Sequence, residues 1–433
     1  MLQTRKNMID HVDHLLDCRW NLSIIFMFLY IILPNYIILA HTFTEIDHPN
    51  EDPNMAESLA NDDFSESRVI LDIDLAKIRA NYEAIRETVE PLTTMAVLKA
   101  DGYGLGAQRI AECLKDAGVT WFGVAEMHEA MSIRHLNLPI QILGGVIAEE
   151  IPDGVRNDII LPITDMKTAE EISTESIRQG KVTQCHFLID SGMGRLGIRI
   201  SEAEELIMEI MKLPNIECNG IYSHFPYAYG DYDFSTNQVR SMIQLIQDLE
   251  RKGISFKYKH IANSDGIHNV PSAIQAPFNM VRTGINLYGC FDLEGRKTIS
   301  LDEVITLRSR LVGIRDMPWG ASIGYGRTYK LDEATRVGTV AIGYADGLPI
   351  GLSNNGYVII HGKRCPIIGR VSMDYITVSL DEVPEAQVGD EVVCLGDGIS
   401  VADWAEAKRT ITYEIICSFG NRVERNYING DGN

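Results

Sequence analysis

Residues 93–114 read TTMAVLKADGYGLGAQRIAECL. The apolar run Met95-Ala96-Val97-Leu98 has the length and texture of a strand buried in a parallel sheet. Lys99 ends it where another aliphatic would continue a buried strand, and a glycine-rich turn, Asp101-Gly102-Tyr103-Gly104-Leu105-Gly106, follows at once. An amphipathic stretch, GAQRIAECLKDAG, comes next. Strand, loose turn and helix in that order make one βα unit, and the carboxyl end of its strand is where such units carry functional groups.

The pattern repeats on both sides. RVILDID leads into LAKIRANYEAIRETV from Arg68, and WFGVAE precedes MHEAMSIRHL. CHFLIDSG precedes SEAEELIMEIMKL, ECNGIYSHF precedes STNQVRSMIQLIQDLERKG, and KYKHIAN and MVRTGINLYG close the series. So many units before Gly289 predict an α/β fold of the (β/α)8 TIM-type barrel class over residues 68–300. A doubly wound sheet is the alternative, but no G-x-G-x-x-G opens its first helix. Beyond about Ser300 the texture changes to TRVGTVAIGYADGLP, GYVIIHGKRCPIIGRV, MDYITVSL and GDEVVCLG, which predicts a second, mainly antiparallel β domain over 301–433. No low-complexity linker separates the two, so they are expected to pack together.

The length of 433 residues exceeds what one core usually fills, in line with two domains. A net charge of -21 argues against a nucleic-acid partner, which would need a basic face to displace phosphate counterions. The eight cysteines are scattered without a C-x-x-C pair, and several sit in apolar runs, which reads as buried free thiols. The eleven histidines form no H-E-x-x-H cluster, so no metal site is expected.

Residues 1–67 form an N-terminal extension with its own signal. NLSIIFMFLYIILPNYIILAH (21–41) is long and apolar enough to span a bilayer, with Arg5, Lys6 and Arg19 before it and acidic residues after it. One reading is a signal-anchor at 22–40 that attaches the chain to a membrane. The other starts the protein near Met55, leaving a cytoplasmic enzyme.

Several polar groups fall at expected strand ends: Lys99, Ser223-His224, Asn263-Ser264, Arg282-Thr283-Gly284 and, in SGMGRLG, Arg195. A lysine in an apolar wall with cationic neighbours loses part of its preference for the charged form, as Schiff-base chemistry requires. The plain alternative for a lone strand-end lysine is an ion pair or a cleft lining. The surrounding motifs decide between them. AVLKADGYGLGA, SGMGRLGI, NMVRTGINLYG, SIGYGRTY, GYADGLP and GRVSMDY occur in one order, from Arg68 to the end, in a pattern that resembles the alanine racemases, fold-type-III pyridoxal-phosphate enzymes with a barrel and a C-terminal β domain.

The resemblance implies interconversion of L-alanine and D-alanine with pyridoxal 5′-phosphate as cofactor. Lys99 resembles the lysine that holds the cofactor covalently. Tyr103, Ser264, the backbone amides of Gly284 and Ile285, and Tyr413 look like the phosphate-binding set, and backbone donors suit a phosphate dianion. His224 resembles the residue against the pyridine ring, and Arg282 the partner of its nitrogen; an arginine donates a hydrogen bond there without giving up its proton. Racemisation removes a proton from one face and returns one to the other, so two acid–base groups are wanted. Lys99 and Tyr325 resemble that catalytic pair, the tyrosine coming in this family from a partner subunit, which implies a homodimer with shared sites. Tyrosine is a poor base at its reference pKa of about 10, so cationic neighbours are needed.

Arg195 and the backbone amide of Met373 resemble the contacts to the substrate carboxylate, with Asp374 beside Met373, and Tyr344 and Tyr413 resemble a pair narrowing the substrate entrance. Asp346 in GYADGLP has an ordinary turn as its plain reading. One position departs from the family: Leu188 stands where a lysine, carbamylated in many members, would orient Arg195. Rival readings are a racemase of serine or of basic amino acids, a decarboxylase of the same barrel family, and a non-catalytic cofactor carrier; the carrier would lack the β domain.

Overall fold

The computed structural model describes residues 67–430. The apolar segment 22–40 lies outside them; among the described residues no helix is long and apolar enough to cross a membrane. In chain order the strands to Met280–Thr283 are β1 (Ile70–Asp74), β2 (Thr93–Val97), β3 (Phe122–Val124), β4 (Ile140–Ile142), β5 (Leu161–Ile163), β6 (Thr183–Asp190), the two-residue β7 (Ile198–Arg199), β8 (Ile216–Tyr222), β9 (Tyr258–His260) and β10 (Met280–Thr283).

Eight of these form the barrel, in the order β4-β3-β2-β10-β9-β8-β6-β5, every pair parallel. It closes between β5 and β4, where Ile142 N–H donates to Ile160 O at 3.1 Å and Ile160 N–H to Ile140 O at 2.9 Å. Helices follow the strands and shield them, as at Met166–Gln179: Asp165 accepts the Thr168 N–H at its start and Gly180 ends it at φ 66.

The first expected barrel strand is not in the barrel. β1 pairs parallel with β19 (Glu424–Ile428) and antiparallel with β11 (Ile305–Met317), so RVILDID belongs to the C-terminal sheet. Its side chains explain the choice: Leu71 and Ile73 are fully buried on one face, while Asp72 on the other meets Arg308 of β11 at 2.5 Å and Asn426 of β19 at 2.7 Å. Instead β4 and β5, three residues each, complete the barrel.

The β domain runs from β11 through the hairpin strands β12 (Ser322–Ile323) and β13 (Tyr329–Lys330), β14 (Thr335–Val340), β15 (Tyr357–Ile360), β16 (Lys363–Pro366), β17 (Ile376–Ser379) and β18 (Glu391–Leu395) to β19. Its main order is β16-β15-β18-β11-β1-β19, with β14 on β11 and β17 on β14, and only the β1–β19 pair is parallel. Barrel and β domain are packed directly. Arg425 in β19 donates to Gly104 O at 3.2 Å, Tyr427 Oη to Leu105 O at 2.9 Å, and Thr412 Oγ1 to Phe291 O at 2.9 Å. The seven described cysteines are free thiols, six of them buried.

Because β1 fastens the sheet on both edges, truncating Ile73 should open a cavity that no loop can collapse. Ile73→Ala is expected to lower unfolding stability by about 2–5 kcal/mol, read from denaturant titration of purified protein.

Candidate active site

Lys99 leaves β2 at the carboxyl end of the barrel and is followed by a backbone turn of the wrong hand. Ala100, Asp101, Gly102 and Tyr103 have φ between 52 and 63 and ψ between 34 and 51, a single left-handed helical turn. Three of the four carry a Cβ, and each such residue costs roughly 1–2 kcal/mol in that conformation. Local hydrogen bonds sustain it: Gly102 N–H donates to Leu98 O at 2.9 Å, Gly106 N–H to Asp101 O at 2.9 Å, and Ala107 N–H to Asp101 Oδ1 at 2.8 Å. The turn swings Tyr103 under the β domain, where its ring meets Tyr288 edge-on at 5.3 Å and Tyr413 at 6.1 Å.

One cavity of about 580 Å³ opens at this end of the barrel, lined by Lys99, Tyr103, Arg195, His224, Ser264, Arg282, Gly284 and Tyr413. Eight of the expected site residues therefore meet, drawn from the carboxyl ends of five barrel strands and one helix of the β domain. Lys99 reaches the solvent of this cavity, so water screens its charge in part. Its pKa still falls, first from desolvation, then from Arg195, and further from Arg282, against opposing pulls from Cys417 and Glu129.

Arg282 is buried in β10 and thoroughly tied. One terminal nitrogen donates to His260 Nδ1 at 2.7 Å, the other to Ser223 O at 2.7 Å and Ile261 O at 3.1 Å, with His224 Nδ1 at 3.3 Å. Burial lowers the Arg282 pKa to about 10, which leaves it charged at neutral pH. His224 is pushed down to about 3 by burial and by Arg282, Arg195 and Lys99, and so presents a neutral imidazole.

Tyr103, Ser264 and Gly284 converge in the same cavity. Gly284 N–H donates to Ser264 Oγ at 3.0 Å, and a Cβ on Gly284 would stand 2.1 Å from Tyr103 Oη. Two hydroxyls and a backbone amide in so small a space, with Ile285 next in chain and Tyr413 above, form a cradle matched to a phosphate's oxygens. Asp265 also lines the cavity, its carboxyl raised to about 6 by burial and by Asp292. Sequence reasoning passed over both aspartates; an acidic residue directly after Ser264 was the available signal.

Leu188 lines the same cavity and offers no charge, and Arg195 has no hydrogen bond or ion pair among the described residues. Three expected residues stand apart from the cavity. Tyr325 is 72 % exposed, Met373 52 % and Tyr344 43 %, all on loops of the β domain. Arg422 braces two of those loops, bonding Asp346 at 2.6 Å, Asp374 at 2.7 Å and Met373 O at 3.3 Å. Asp346, buried, also accepts the Gly343 N–H at 2.9 Å, so it fixes the loop that presents Tyr344.

Comparison with known proteins gives this arrangement a family. Residues 73–292 match the family described as "Alanine racemase, N-terminal domain", and residues 304–427 match "Alanine racemase, C-terminal domain". The chain belongs to the alanine racemase family. "Alanine racemase 2" of Caldanaerobacter subterraneus is 36% identical over 377 residues, 85% of this chain and 96% of that protein. The alanine racemase of Methanococcus maripaludis is 35% identical over 368 residues, 82% of this chain and 98% of its own. Among solved structures, Clostridium difficile 630 alanine racemase superimposes with a TM-score of 0.79 at 31% identity, covering 84% of this chain and 96% of that one. The Bartonella henselae alanine racemase "with covalently bound pyridoxal phosphate" has a TM-score of 0.76 at 30% identity, covering 84% of this chain and 100% of its own. The barrel followed by a β domain is thus the architecture of the family, and none of these relatives is described as a decarboxylase or a carrier.

The cationic surroundings of Lys99 make a direct prediction. In cofactor-free protein its acylation by an amine reagent should reach half-maximal rate at lower pH than that of surface lysines. Arg195→Leu removes a repelling charge and should move that midpoint to higher pH, read by mass spectrometry of the Lys99 peptide. Identical midpoints would remove Arg195 from the environment of the amine.

Proposed function

We propose that Lys99 and Tyr325 act on opposite faces of a bound amino acid, Lys99 from its own barrel and Tyr325 from the β domain of a second copy of the chain. The reaction is the interconversion of L-alanine and D-alanine, and the cofactor is pyridoxal 5′-phosphate. The observation that carries the assignment of roles is the cavity itself, where a lysine of lowered pKa, a buried arginine and a cradle of hydroxyl and amide groups converge.

The residues present fit that cofactor. Lys99 would hold its aldehyde carbon, Arg282 its ring nitrogen, His224 its ring face, and Tyr103, Ser264, Gly284, Ile285 and Tyr413 its phosphate. Bound there, it supplies the electron sink that makes the α-proton of the amino acid removable. Arg282 is a donor that keeps its proton, because His260 and two carbonyls already fix its guanidinium and its charge survives burial. Lys99, its pKa lowered by desolvation and by Arg195, gives up its proton more readily than a surface lysine and serves one face. Arg195 takes the carboxylate, aided by the amide of Met373. Its lack of an internal partner leaves the guanidinium fully available, and Leu188 gives it no lateral brace.

The second face needs a group that the home chain does not deliver. Tyr325 stands exposed between Gly324 and Gly326, at φ 69 and 70, on a loop outside the cavity. Seated over a partner's cavity, its phenol gains the cationic neighbours that make it a usable acid and base. This supports a homodimer in which each site takes Lys99 from one subunit and Tyr325 from the other.

Subunit mixing tests it. Lys99→Ala and Tyr325→Phe should each lose nearly all racemisation from L- and from D-alanine. Refolded together in equal amounts they should regain roughly a quarter of wild-type activity, because each mixed dimer rebuilds one intact site. No recovery on mixing, with mixed dimers present, would place Lys99 and Tyr325 of a working site on the same chain or remove one of them from it.

A further inference from the structure

We infer that Glu129 is a positioning residue for Lys99: its carboxylate is the clamp that sets the direction of the reactive side chain. Glu129 lies on the helix Met127–Ile133 that follows β3, the barrel neighbour of β2. One of its oxygens accepts the N–H of Ala100, and the other accepts the N–H of Ala125 at 2.7 Å. Ala100 directly follows Lys99, and Ala125 directly follows β3. The carboxylate thus bridges the ends of two adjacent barrel strands, beyond their last backbone rung.

That rung is Leu98 N–H to Gly123 O at 2.8 Å. The peptide before Lys99 is therefore fixed by the sheet and the peptide after it by Glu129. The next acceptor that the strand could have offered, Leu98 O, is already taken by Gly102 N–H at 2.9 Å within the left-handed turn. Without Glu129 two backbone donors at the rim of the cavity lose their partners, and Ala100 loses the contact that holds it at φ 53. Charge-assisted bonds to both oxygens are the strong kind, and they compensate a conformation that a non-glycine residue otherwise avoids.

Glu129 also opposes the cations around Lys99. The amine faces Arg195 from the loop after β6, Arg282 from β10, His224 from the end of β8, Tyr103 from its own turn and Cys417 from the segment after Thr412–Ile416. Glu129 and Cys417 pull the Lys99 pKa up while Arg195 and Arg282 pull it down. Removing the carboxylate must therefore lower it further, a signature that loss of a merely structural contact would not give.

The proposal rests on Lys99 being the cofactor-bearing lysine, and its test separates the two. In wild-type holoenzyme, amide hydrogen exchange should show slow exchange at Ala100 and Ala125; exchange at the rate of open loop amides would overturn the clamp, whatever any variant does. Glu129→Gln keeps the shape, removes the charge and turns a donor toward one of the two amides. It should lower kcat roughly 10- to 100-fold, as a misaimed reacting group does, with KM for alanine changed by about twofold or less. In cofactor-free Glu129→Gln the acylation midpoint of Lys99 should move to lower pH. Wild-type kcat together with an unmoved midpoint, even at a reduced melting temperature, would overturn the inference. Borohydride trapping in wild type addresses the underlying reading: label on another lysine would sink that assignment, while the amide protection would still report on the clamp.

Discussion

The left-handed turn after Lys99 is the constraint around which this molecule is arranged. A chain leaving a barrel strand normally bends into the following helix, and its side chains stay at the rim. Here four residues run with reversed hand, so Lys99 and Tyr103, four residues on, both line the same cavity, the amine 6.0 Å from the centre of the phenol ring. Such a turn is not stable alone, since three of its residues carry a Cβ. It is held from three sides: Glu129 from the neighbouring βα unit, Asp101 from its own side chain, and Arg425 and Tyr427 from the β domain, which grip the carbonyls of Gly104 and Leu105. Gly106 completes the fit, because any Cβ there would collide with the Tyr427 hydroxyl. The β domain therefore helps to build the cavity within one chain, before any second copy is considered.

Electrostatics follow from that placement. The protein is acidic overall, with a net charge of -21, yet Lys99, Arg195 and Arg282 are gathered in one cavity. Desolvation pushes Lys99 and Arg282 toward their neutral forms, Lys99 also by repulsion from Arg195 and Arg282, and only lysine has an ordinary pKa close enough to respond usefully. Arginine absorbs the same push and keeps its charge. Behind Arg282 the hydrogen bonds specify tautomers: His260 accepts at Nδ1, so its proton lies on Nε2, toward His186 Nδ1 at 3.5 Å. Burial lowers both imidazoles, His186 to about 3, so no second cation forms beside the guanidinium. The network acts as a neutral mount for one buried charge.

Much of this was legible in the chain. Strong β-branched or aliphatic runs followed by amphipathic stretches marked six of the eight barrel strands, and the glycine-rich loop beside a strand-end lysine marked the site. What failed has physical causes. RVILDID has the alternation of a half-buried strand, and the following helix made it read as a barrel unit; its destination is fixed by pairing with β11 and β19, hundreds of residues away. β4 and β5 escaped notice because Pro139 stands just before one and Pro162 inside the other, interrupting the apolar pattern. Glu129 was invisible because a glutamate on a helix reads as a solvated face; its importance comes from which backbone amides happen to stand within reach.

The proposed division of the chemistry between two copies has a structural logic of its own. Within the described chain, most of the residues that line the cavity are carried by the barrel, with Ile411 and Tyr413 added by the β domain, whereas Tyr325, Tyr344 and Met373 sit on exposed loops of the β domain. Arg422 braces two of those loops: one guanidinium fastens Asp346, Asp374 and the Met373 carbonyl, so two loops that contribute nothing to their own cavity are nevertheless held in fixed relation. Ordering exposed aromatic loops costs conformational entropy. That cost is understandable if the loops form a preorganised surface, delivering a phenol and a carboxylate-binding amide together to a partner's open cavity. A base supplied in this way would come from a chain other than the one that carries Lys99, and so would not crowd the lysine's own strand.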